Sequence, residues 1–264
     1  MGIITLTTDL GSKDHYVASV KGRIYSLESD VKIVDITNEI PPFDINQACF
    51  TLENAFPHFP EGSVHIIGVH PSAYDNVRHL ACLYKGHYFI GADNGIFSLL
   101  FRDKPDKIHQ IESNTDSGEP NFEIRDIFSV AAVHLASAGN IEDLGERGLI
   151  LTERARLNPI VNSDVIKGHV IYIDSYENAI TNITREMFEA TVGQRDFEIF
   201  ANPTCSFRTV QRQYNEVPVG EKVALFGTNG KLEIGINQFN HEHHGGASSL
   251  LGIKIKDVVR IEIT

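Results

Sequence analysis

Apolar and polar positions along the chain fall into two textures. An apolar, β-branched run from Ile3 to Thr8 stops at Asp9, a Leu-Gly turn follows, and apolar residues then recur at Val17, Val20, Ile24 and Leu27. This spacing predicts a strand handing over to a helix, with Asp9 at the junction. Further β-rich runs, "VKIVDI" at 31–36, "SVHIIGV" at 63–69, "HLACLY" at 79–84 and "HYFIGA" at 87–92, are interleaved with helical patterns from about Asp44 to Ala55 and from Arg125 to Ala138. The alternation predicts an α/β layer on a largely parallel sheet.

After "ERARLNPIVNSD" the helical periods vanish and strands dominate: "GHVIYID", "DFEIFA", "KVALFG", "KLEIGI" and "DVVRIEI". Asn229-Gly230 between two of these runs is a hairpin signal, since both residue types tolerate positive φ. The expectation is an α/β amino-terminal domain with a largely parallel sheet over residues 1–160, and an all-β carboxy-terminal barrel domain over 161–264, the boundary falling near 155–165.

The 264 residues, 42% of them hydrophobic, suffice for two packed cores. Twenty-three Lys plus Arg stand against 35 Asp plus Glu, a formal charge of −12 with no basic run to offset it, which argues against nucleic acid as a partner. There is no basic segment leading into an apolar signal core, and no window nears the roughly 20 apolar residues of a membrane span. A cytoplasmic protein without membrane contact is expected. Cys49, Cys82 and Cys205 lie far apart and form no C-x-x-C pair, so each reads as a small buried hydrophobe.

Candidate chemistry sits where strands end. Asp9 lies at the edge where open α/β sheets bind ligands, yet no G-x-G-x-x-G follows to cradle a pyrophosphate. It reads either as a ligand contact or as a turn residue accepting backbone N–H bonds. The same two readings apply to Asp93-Asn94-Gly95 in "GADNGIF" and to Asp174 through Asn178 in "IDSYENAITNI". His241, Glu242, His243 and His244 in "NHEHHGG" read as a divalent-metal site or as a solvated loop.

The order of these segments is more informative than any one of them. "TLTTDLGSKDHYVASVKGRIYS", "VDITNEIPPFDINQACFTL", "FPEGSVHIIGVHP", "GADNGIFSLL", "FEIRDIFSVAAVHLA", "IDSYENAITNI" and "GTNGKLEIGIN", in this sequence and at these separations, resemble the S-adenosylmethionine hydroxide adenosyltransferase family, whose relatives include fluorinating and chlorinating enzymes. The resemblance covers essentially the whole chain. It implies an α/β domain followed by a β-barrel domain, and a homotrimer with sites between subunits. It also implies hydrolysis of S-adenosylmethionine to adenosine and L-methionine by water attack at the ribose 5′ carbon, with no metal or organic cofactor.

By position, the resemblance implies that Asp9 holds the two ribose hydroxyls, Phe43 packs by the ribose and Asp174 receives the methionine ammonium. It implies that Asn178 reads the adenine edge, Tyr214 stacks on the adenine face and Phe122 lies near the reacting carbon. The resemblance also implies that Asn237 ends a strand whose following backbone meets adenine, and that Asp93, Asn94 and Tyr176 complete the ligand-side set.

The departures concern catalysis. Hydrolytic members carry "DPGVG" with an arginine pair and later "FHGRD"; this chain has "HPSAYDNVR" and "FEIRD". The acid position is His70, the first arginine position is Val77 with Arg78 remaining, and the histidine position is Glu123. Acid and imidazole are thus exchanged, and if the two positions face each other, Glu123 would orient His70 as base for the water. Two alternatives stay open: an adenosyl-ligand binder that has lost its catalytic set, and a metal-dependent hydrolase using the histidine-rich loop.

Overall fold

A computed structural model describes residues 2–72, 74, 77–112, 122–147, 150–238 and 245–264. The chain divides into two compact units, Met1–Ala155 and Arg156–Thr264.

The first unit runs β1 (Ile3–Thr8), α1 (Tyr16–Leu27), β2 (Lys32–Thr37), α2 (Ile45–Ala55), β3 (Val64–Gly68), β4 (His79–Tyr84), β5 (His87–Ala92), α3 (Ile96–Leu100) and β6 (Lys107–Gln110). A π-helical turn, Ile124–Phe128, then leads into α4 (Ser129–Ala136). The sheet order is β2-β1-β3-β5-β4-β6. Pairings from β2 to β5 are parallel, whereas β4 pairs antiparallel with both β5 and β6. The sheet is therefore mixed, and the cause is local. Only Lys85 and Gly86 separate β4 from β5, both at positive φ (50° and 78°), and a two-residue link of this kind joins only antiparallel strands.

Both faces of the sheet are covered, which is why β3 is buried at every position. Val17, Val20 and Ile24 of α1 join α4 against Ile4, Leu6 and Ile66. Ala48, Cys49 and Leu52 of α2 join α3 against Ile67, Cys82 and Phe89. The three cysteines are buried and form no disulfide among the described residues, and burial raises the Cys82 thiol.

A histidine chain lies inside this unit. His65 Nδ1 is 2.7 Å from Thr5 Oγ1, and its Nε2 is 3.2 Å from His87 Nδ1. Burial, with His87 adding to it, lowers the His65 pKa to about 3 from an ordinary 6.5. The unfolded chain therefore takes up a proton below pH 6.5 that the folded chain refuses until about pH 3. Folding should lose about 2–3 kcal/mol from this one group between pH 6.5 and 4.5. His65→Gln should flatten the acid limb of the denaturant-derived stability curve by close to one proton; an unchanged limb would refute the assignment.

The second unit runs β7 (Ile160–Val161), β8 (Val165–Ile173), β9 (Ala179–Thr184), α5 (Arg185–Val192), β10 (Phe197–Asn202), β11 (Cys205–Phe207), β12 (Lys222–Phe226), β13 (Lys231–Ile236), α6 (Ala247–Leu251) and β14 (Val258–Ile263). Its ladders are all antiparallel, in the order β11-β10-β14-β8-β9-β13-β12, with β7 on β8. The segment leaving β11 meets β12 through a bridge between Gln211 and Leu225, so the sheet curls into a nearly closed, barrel-like form. The Asn229-Gly230 hairpin forms between β12 and β13, with Gly230 at φ 72°. Sequence periodicity missed α5, a short helix capped by Thr184 and seated through Phe188 and Val192. Among the described residues no helix is long and apolar enough to cross a membrane.

Candidate active site

The chain steps from β1 to β2 on one side and to β3 on the other, so the carboxyl ends of β1 and β3 flank the switch point of the sheet. Asp9 follows β1 there and His70 lies just beyond β3. Asp9 Oδ2 accepts two backbone N–H groups, from Phe43 at 2.9 Å and from His70 at 3.3 Å. Both donors are non-glycine residues in the left-handed region, at φ 68° and 49°. Such backbones cost about 1–3 kcal/mol each and cluster at functional sites. Here they aim two amides at one carboxylate oxygen. Asp9 Oδ1 has no partner among the described residues and is left as an acceptor.

The Phe43 ring is 64% exposed and stands 4.8 Å from the His70 ring, centroid to centroid. Both border a cavity of about 320 Å³ with Asn46, Asn94 and Arg154. The His70 imidazole makes no hydrogen bond to any described residue.

Asp93 and Asn94 build the floor of this loop cluster. Asn94 is buried, donates from Nδ2 to the carbonyls of Val69 and His70 at 3.0 and 3.1 Å, and accepts from the Ile96 N–H. Its polar atoms are thereby committed to fixing the backbone at His70. Asp93, fully buried, receives the Arg78 guanidinium, the Thr152 N–H at 2.8 Å and the Thr152 hydroxyl at 3.0 Å. Arg78 donates as well to the Ile150 carbonyl at 2.7 Å. Of the sequence-derived candidates, these three act on the loops around the site through bonds already made.

Glu123 precedes the π-helical turn, and its carboxylate accepts the Ser72 hydroxyl, two residues beyond His70. No bond between Glu123 and His70 is present, so Glu123 meets the loop that carries His70 and not the imidazole. Phe122 packs edge-on to Tyr16 at 5.8 Å.

In the second unit the loop between β8 and β9 is tied by Asp174. Its Oδ1 accepts the N–H groups of Tyr176 and Asn178 at 2.9 and 2.8 Å, and its Oδ2 accepts Asn178 Nδ2 at 3.0 Å. Glu177, at φ 57°, caps α6 through the N–H groups of Gly246 and Ser249. Asn178 is buried, and its Oδ1 has no hydrogen-bond partner among the described residues. Tyr214 stands beside it and donates its hydroxyl to Glu233. Asn237 is buried and holds the Val217 carbonyl at 2.7 Å, while Tyr176 is 67% exposed. Glu233 went unnoticed in the sequence because a polar residue alternating with Leu232 and Ile234 reads as a solvent-facing strand position.

Among the described residues no group of three or more His, Cys, Asp or Glu side chains is placed to hold a metal ion. His241, Glu242, His243 and His244 lie outside the described residues.

The sequence matches the SAM hydroxide adenosyltransferase N-terminal domain over residues 4–145 and the C-terminal domain of that family over residues 168–260. It is 33% identical to an (R)-S-adenosyl-L-methionine hydrolase of Thermus thermophilus, over 96% of this chain and 97% of that protein. A fluorinase of Nocardia brasiliensis is 26% identical over 71% of this chain and 73% of its own. The crystal structure of a conserved protein from Thermotoga maritima superposes with a TM-score of 0.86 at 28% identity, covering 98% of this chain and 99% of that one. With both of its domains matched in order, the chain belongs to the SAM hydroxide adenosyltransferase family.

Proposed function

We propose that the protein is an S-adenosylmethionine hydrolase releasing adenosine and L-methionine. The observation that supports it most directly is Asp9: one oxygen is anchored by two strained amides and the other is left as an acceptor at the switch point of the sheet. A fixed carboxylate suits a vicinal diol, because charged acceptors make the stronger hydrogen bonds.

In the proposed reaction a water oxygen bonds to the 5′ carbon as the carbon–sulfur bond breaks and its electron pair passes to sulfur. Methionine leaves as a neutral thioether, so no general acid is needed and the scheme calls for neither metal nor organic cofactor. The protein's task reduces to alignment, desolvation and removal of the water's proton. His70, whose ring stands beside Phe43 and bonds to no described residue, is the proposed base. Asp174, Asn178 and Tyr214 are the proposed contacts to the methionine ammonium and adenine.

The assembly is proposed to be a cytoplasmic homotrimer in which Asp9 of one subunit and the Asn178 and Tyr214 region of a neighbour serve one ligand. Light scattering should then give three times the 29.4 kDa chain mass.

The deciding experiment incubates metal-stripped protein separately with the (R) and (S) sulfonium epimers and follows adenosine and methionine by chromatography. Because the hydrolase relatives are named for the (R) epimer, that epimer is expected to be consumed faster. A second reading, binding without turnover, is favoured by one observation: Glu123 is engaged by Ser72 and not by His70. Adenosine binding with no product from either epimer would select it.

A further inference from the structure

Strand alternation separates the two faces of the second unit. Leu232 and Ile234 of β13 and Ala179 and Ile183 of β9 enter the apolar core. With Glu233 paired to Ile180 and Ile234 to Ala179, the odd positions Glu233 and Gly235 share the opposite face with Asn178. Tyr214 lies over that face. A β-carbon at Gly235 would stand 2.8 Å from Tyr214 Cε1 and would collide with Asn178 Oδ1, and one at Gly227 would lie 2.6 Å from Glu233 Oε2. Two glycines therefore make the space into which the Tyr214 ring, the Asn178 amide and the Glu233 carboxylate are packed.

Within this packing the Tyr214 side chain has a single hydrogen bond among the described residues, from its hydroxyl to Glu233. It sits in a one-turn helix, Tyr214–Glu216, between β11 and β12, so its backbone is not fixed by the sheet ladder. An aromatic platform on such a segment needs a side-chain anchor to hold one orientation.

We infer that Glu233 is a positioning residue for the adenosine site, fixing the Tyr214 ring through its hydroxyl so that the ring and the unpaired Asn178 Oδ1 receive the base together. This rests on the reading that the face binds adenosine. The surroundings agree with a half-buried anchor: burial raises the Glu233 carboxyl, and the nearby Asp174 raises it further. Burial and the Glu233 hydrogen bond raise the Tyr214 phenol in turn, which keeps the hydroxyl a donor.

Calorimetric titration of adenosine into the full-length protein tests this with four variants: Glu233→Gln, Glu233→Ala, Tyr214→Phe and the double Glu233→Ala/Tyr214→Phe. Glu233→Ala and Tyr214→Phe should each weaken binding about tenfold, and the double variant no further, because both remove one interaction. Glu233→Gln, whose amide oxygen still accepts, should recover most of the affinity; that rescue is what a merely structural role, visible only in Tm, would not produce. Should wild type bind adenosine and the two losses multiply, or Glu233→Ala bind normally, the anchor is refuted and the adenosine site stands. Should wild type bind no adenosine, both are overturned.

Discussion

Asp9→Ala should lower adenosine affinity by at least about 100-fold, the largest binding loss expected of any single side chain. Two O–H donors to a carboxylate oxygen are worth about 1.5–3 kcal/mol each, so their joint removal spans 10² to 10⁴ in affinity. The same truncation orphans the N–H groups of Phe43 and His70, which hold left-handed backbones while they donate to Oδ2. Without that acceptor nothing offsets their strain, and the two loops should relax away from the switch point. A fall in Tm of several degrees should accompany the lost affinity. Asp9→Asn keeps one acceptor oxygen and should fall between, with a smaller stability loss. Calorimetric binding within threefold of wild type for Asp9→Ala would remove the ribose assignment.

Long-period elements were legible and short-range geometry was not. The helix over α1 and the strand before it follow from apolar spacing alone, because Val17, Val20 and Ile24 can be buried together only on a helix. The direction of β4 was hidden: a fully buried run such as "HLACLY" has the same pattern whichever way it points. What decides it is Lys85 in the left-handed region, a conformation its residue type does not announce. At the site, Asp9 could be placed from its position after a strand. The bonds that occupy Asp93 could not, since Thr152 lies 59 positions away. Sequence order brought Asp93, Asn94 and Arg78 into the candidate set, and only geometry shows them engaged in holding loops. Glu233 reversed the case, with an ordinary sequence position and a crowded, half-buried setting.

His70→Ala is the sharper test of catalysis, because the backbone duties of this residue survive it. Its N–H still donates to Asp9 and its carbonyl still accepts from Asn94, and alanine at φ 49° carries a similar strain. Only the imidazole is lost. If that ring removes the proton of the attacking water, kcat should fall by about 10² to 10⁴ while KM shifts by less than about threefold. Glu123→Gln should cost less than about tenfold, since its carboxylate reaches the His70 loop through the Ser72 hydroxyl and the amide oxygen can still accept that bond. Adenosine release at the wild-type rate from His70→Ala would retire the base and leave an aligned, desolvated water as the nucleophile. A rate lost equally in His70→Ala and Glu123→Gln would instead show that the two side chains meet when substrate binds, with the Ser72 bond exchanged for one to the imidazole.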